Sequence, residues 1–119
     1  MTDEGKALLL KTAADVGKYY AFVGQALRAI YDPASAAQLP AEVLHAQIDQ
    51  IRAALAPVFD TNQVVKQNFA ELDARIERLR LEAAGGDKSK AVDEARALGA
   101  QLQERAKAVS DLVALFRRL

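Results

Sequence analysis

The 119-residue sequence has no cysteine and no tryptophan, one histidine and three prolines. Without cysteine there is no disulfide, no thiol nucleophile, no covalent haem attachment and no cysteine-ligated zinc. An excess of charge is missing too, because sixteen Lys and Arg balance sixteen Asp and Glu. Such a chain lacks the basic footprint that nonspecific nucleic-acid binding or docking on an anionic membrane requires. No long apolar run is present either. The most apolar stretch, Ala7 to Tyr31, is interrupted by Lys11, Asp15, Lys18 and Arg28, which excludes an ordinary membrane span. The start, Met1-Thr2-Asp3-Glu4-Gly5-Lys6, is acidic where a secretory leader is basic. A cytoplasmic location is the default expectation.

What is present is apolar and periodic. Hydrophobic residues make up 51% of the chain and charged ones 27%, a composition that folds, at a length that fits a single domain over 1–119. Leu9, Ala13, Val16, Tyr20, Val23, Leu27 and Ile30 follow alternating steps of four and three, one seam of a heptad pattern. Thr2 caps a first helix predicted over about 3–31, with Asp3 and Glu4 in its first turn. Asp32-Pro33 ends it. Pro40 suits the first position of a second helix, whose seam is Leu44, Ile48, Ile51 and Leu55. Pro57 ends or kinks that helix. Asp60-Thr61-Asn62-Gln63 reads as a capping box for a third over about 61–84. The seams on both sides of Pro57 are in phase, so one kinked helix with Asn62 as a polar core position is the other reading. Gly85-Gly86 is a helix stop, followed by Asp87 or Ser89 as cap for a fourth helix over about 88–118. So short a connection makes the third and fourth helices an antiparallel hairpin. The expected fold is an all-α antiparallel bundle of four helices, or three with a kink at Pro57.

Motifs that carry chemistry are few. Glu42-Val43-Leu44-His45 has the Glu-x-x-His spacing of di-metal bundles, but such a centre needs more ligands than one histidine supplies. These residues fall on a polar stripe, Gln38, Glu42, His45, Asp49 and Arg52, read as a solvated face that binds no metal. Ser35, Ser89 and Ser110 are the only serines, none in a nucleophile-elbow context. Gly85-Gly86 lacks the Lys-Ser/Thr of a phosphate loop. Neither enzymatic activity nor a cofactor is expected. Charges such as Glu71/Arg75 and Lys107/Asp111 are spaced i, i+4, as on solvent-facing helix sides.

The first helix departs from a simple amphipathic pattern. Beyond its seam it carries Leu8, Leu10, Tyr19, Phe22 and Tyr31, and Ala13, Ala14, Gly17, Ala21 and Gly24 let another helix approach closely. A helix apolar over most of its circumference is covered by more than one neighbour. The second helix is too short to flank the first and fourth along their whole length. The expectation is therefore a non-enzymatic protein–protein interaction module that self-associates as a homodimer, with Tyr19, Tyr20, Phe22 and Tyr31 as candidate partner-binding anchors. The alternative is a sensory-type bundle holding a small ligand between its helices, with Asn62 or Arg105 supplying the polar contact.

Overall fold

A computed structural model describes residues 2–32, 34, 39–60, 63–86 and 88–118. They form four helices: α1 (Asp3–Tyr31), α2 (Ala41–Phe59), α3 (Gln63–Ala84) and α4 (Lys88–Arg117). The all-α bundle follows, with no strand among the described residues. The expectations for Pro33, Ser35, Gln38, Thr61, Asn62 and Asp87 lie outside the described residues.

Local chemistry sets the ends. The Gly5 amide donates to Thr2 Oγ1 at 3.0 Å, which caps α1. Pro40 precedes α2 instead of opening it, and its carbonyl accepts from the Val43 and Leu44 amides at 3.1 and 3.2 Å. Pro57 sits inside α2, which continues to Phe59. So close to the end, its missing N–H removes only one bond of the final turns. The chain then reverses, since Arg52 pairs with Asp73 and Asp49 with Arg80 across the two helices. This is a break between antiparallel helices, and the shared phase of the flanking seams does not make one long helix. At the far end of α3 the Gly85 amide donates to Leu81 O and the Gly86 amide to Ala83 O, with Gly86 at φ +90°. The αL conformation is why glycine is needed there.

Each helix packs on its two neighbours in the cycle α1–α2–α3–α4. Lys90–Glu82 and Arg78–Glu94 ion pairs and the Arg75–Gln101 hydrogen bond mark α3 and α4 as the expected antiparallel hairpin. The closest pair is α1 with α4. A Cβ on Gly24 would stand 3.3 Å from the Gly99 carbonyl, and one on Gly17 would stand 3.2 Å from Val109. The small residues of α1 thus receive α4 of the same chain, as compensation for the low helix propensity of glycine. Val23, Leu27, Phe69, Leu72, Leu79, Ala95, Leu98 and Leu102 fill the core. The result is a rod of 53 × 24 × 23 Å.

Candidate docking surface

The anchors expected on α1 divide by depth. Tyr19 and Tyr20 are 1% and 6% exposed and belong to the core. Phe69 of α3 meets both, stacked on Tyr20 at 5.3 Å and tilted to Tyr19 at 5.2 Å between ring centres. Arg52 of α2 lies over Phe69, and Arg105 of α4 over Tyr20, each within cation–π range. All four helices therefore meet in one aromatic layer, and burial raises the pKa of both phenols. In this conformation neither tyrosine can reach a partner, and Arg105 is engaged with Tyr20. Phe22 is half-buried in the furrow between α1 and α2, beside Ile51 and Leu55.

Tyr31 is half-buried at the head of the rod, where α1 ends and α2 begins. Its hydroxyl lies 2.9 Å from His45 Nε2, with the rings in an edge-on arrangement. His45 is 8% exposed, which corrects the reading of its stripe as a solvated face. Only part of the stripe turns inward: Tyr31 covers His45 and Arg52 packs on Phe69, whereas Glu42 and Asp49 stay exposed as expected. A cleft of about 520 Å³ opens beside this pair, lined also by Glu42, Asp49 and Arg80. Burial, then Arg80, lowers the His45 pKa. Among the described residues no three His, Asp or Glu side chains converge as a metal site would require. Nearby, Asp32 accepts from Arg96 at 2.8 Å and from the Ala34 amide. The Arg96 bond and then the Ala34 bond draw the Asp32 pKa down to about 2.

The foot of the rod is different. At 29 and 30 residues α1 and α4 outrun α2 and α3, at 19 and 22. Val58 and Val65, on either side of the α2–α3 turn, share a groove with Val16 and Val109. Below that level α1 and α4 continue as a two-helix ledge, about 20 Å of α1 by the helical rise. The groove encloses about 450 Å³ and runs onto the ledge past Leu8, Leu9 and Leu112. Leu8 is 67% exposed, Leu9 41%, Leu112 48%, Leu115 56%, and Val64 beside the turn 67%. Among the described residues, most of the exposed large hydrophobic side chains gather at this end. A contiguous apolar patch with a charged rim marks an interaction surface.

Reading the sequence pointed to α1 but to its aromatic half, whereas the uncovered part is its first three turns. The signal for the ledge was helix length, already visible as a second helix too short for its neighbours. No family model, curated protein or solved structure matches the chain. No described helix is long and apolar enough to cross a membrane.

Proposed function

We propose that the protein is a non-enzymatic interaction module that docks a protein partner on the ledge formed by α1 and α4, in the first instance as a homodimer. The exposed leucines at the foot carry this reading. Where α2 and α3 stop, the apolar stripes of α1 and α4 do not, and a stripe without a neighbour is unfavourable in water. Each leucine fully removed from water contributes about 1.5–3 kcal/mol, so a few half-exposed ones suffice for reversible association. Phe22 and Tyr31, with part of their rings accessible, are secondary contacts along the same helix. The ligand-binding alternative has less behind it. At the head cleft Tyr31 and His45 bond to each other, and Arg80 pairs with Asp49 and Glu77.

Sedimentation equilibrium tests the proposal. The wild-type chain is expected to be substantially dimeric at about 100 μM, equivalent to roughly −5.5 kcal/mol. Leu8→Asp combined with Leu112→Asp is expected to give a monomer of unchanged helicity. A wild-type monomer at that concentration, or a variant that still dimerises, overturns it.

A further inference from the structure

Of the four helices α2 is the least anchored. Among the described residues it buries two side chains, His45 and Ile48, where α1, α3 and α4 bury six, four and six residues. Space is left on both of its flanks: the furrow against α1 encloses about 340 Å³ beside Phe22, and the head cleft about 520 Å³. Of the neighbouring helix pairs, α2 and α3 approach each other least. Two partly exposed ion pairs tie them, Arg52–Asp73 at 3.4 Å and Asp49–Arg80 at 3.5 Å, and such pairs contribute little in water. The other three helices have contacts of their own that do not pass through α2. The α1–α4 joint is the closest in the rod, a short turn joins α3 to α4, and Phe69 of α3 stacks on Tyr20 of α1. An element with few buried contacts opens more easily than the molecule unfolds.

One of the two anchors is titratable. His45 closes α2 onto α1 through the Tyr31 hydroxyl, 2.9 Å from its Nε2, and its Nδ1 is enclosed without a hydrogen-bond partner among the described residues. An imidazolium there would carry a second N–H with nothing to receive it. The groups that face the ring are Tyr31 from α1, Arg80 and Glu77 from α3, and Glu42 and Asp49 from α2 itself. Burial and then Arg80 disfavour the charged ring, and the three acids do not reverse this. We infer that α2 is a flap latched by His45, which leaves the α1–α3–α4 core as one unit and does so more readily when the imidazole takes a proton. Opening returns His45 to water and uncovers Tyr19, Phe22 and Phe69, rings that the closed rod withholds from any partner. Asp73, on the seam between α2 and α3, acts with the opposite sign. Burial raises its pKa in the closed form, so protonation there favours closure. The device is independent of the ledge and of what docks on it.

Native-state hydrogen exchange of the full chain tests this. At pH 7 the amides in the middle of α2, Ile48 and Arg52 among them, are expected to share one opening. That opening should be about tenfold or more above global unfolding in population and depend only weakly on urea. The amides of Leu98 and Leu102 in α4 are expected to exchange through global unfolding, with a steep urea dependence. From pH 7 to pH 5.5, corrected for the intrinsic exchange rate, the α2 opening is expected to grow several-fold, and by at most about tenfold per pH unit. His45→Gln, which keeps a neutral polar side chain, is expected to remove that growth while α2 still opens separately. Circular dichroism confirms that the variant is folded. If α2 and α4 amides follow one urea curve in the wild type, α2 is not a flap. If α2 opens separately but His45→Gln leaves its pH dependence in place, His45 is not the latch.

Discussion

His45 is held by two opposite requirements. Its Nε2 bonds to Tyr31, while its Nδ1 is buried without a hydrogen-bond partner among the described residues. Protonation would put a charge and a second N–H into that enclosure. Burial and then Arg80 oppose the charge, and the acids Asp49, Glu77 and Glu42 only partly offset them. With the folded pKa below the ordinary 6.5, both states are neutral above that pH and stability is flat there. As pH falls below 6.5 the unfolded chain takes up the proton first, and stability declines. The slope cannot exceed about 1.4 kcal/mol per pH unit for one proton. Urea titrations at pH 7 and pH 5 should show this decline, and His45→Gln should remove the part between about pH 6.5 and 5. An unchanged slope in the variant would place the titrating group elsewhere.

Two glycines show how far elements follow from sequence. Gly86 has φ +90° and open space around its Cα, so Gly86→Ala is expected to destabilise by about 1 kcal/mol from backbone strain alone. Gly24 has ordinary helical geometry and a crowded neighbour, the Gly99 carbonyl. Gly24→Val should therefore cost about 1–3 kcal/mol by forcing α1 from α4. Thermal melts of the two variants check both values. The turn glycine was legible because helix stops are local: the apolar period ends at Ala83 and glycine follows. Thr2 and the bounds of α1 were legible for the same reason. The role of Gly24 was only half legible, since small residues announce a close neighbour without saying which chain supplies it. His45 and Arg52 were misplaced because spacing gives the side of a helix, and the helix opposite is fixed by tertiary packing. Pro57 weakened α2 as expected but did not stop it at once, because the final turns need few further bonds.

At the scale of the molecule, the rod is held most closely by the helices farthest apart in sequence. Gly24 meets Gly99 and Gly17 meets Val109, more than half the chain away. The α3–α4 and α2–α3 hairpins close over short turns, so they can form early; the α1–α4 joint must wait for a large loop to close. Closing so large a loop is expected to make the chain fold more slowly than a bundle held by its hairpins alone. The close joint then lies on the native side of the barrier. Its loss should appear in the unfolding rate: in stopped-flow measurements Gly24→Val should raise the unfolding arm of the chevron and leave the folding arm nearly in place. A slowed folding arm would mean instead that the two ends of the chain meet first. With the late order, the α1–α4 clasp acts as a latch, which sets the lifetime of the folded rod more than the speed at which it is made.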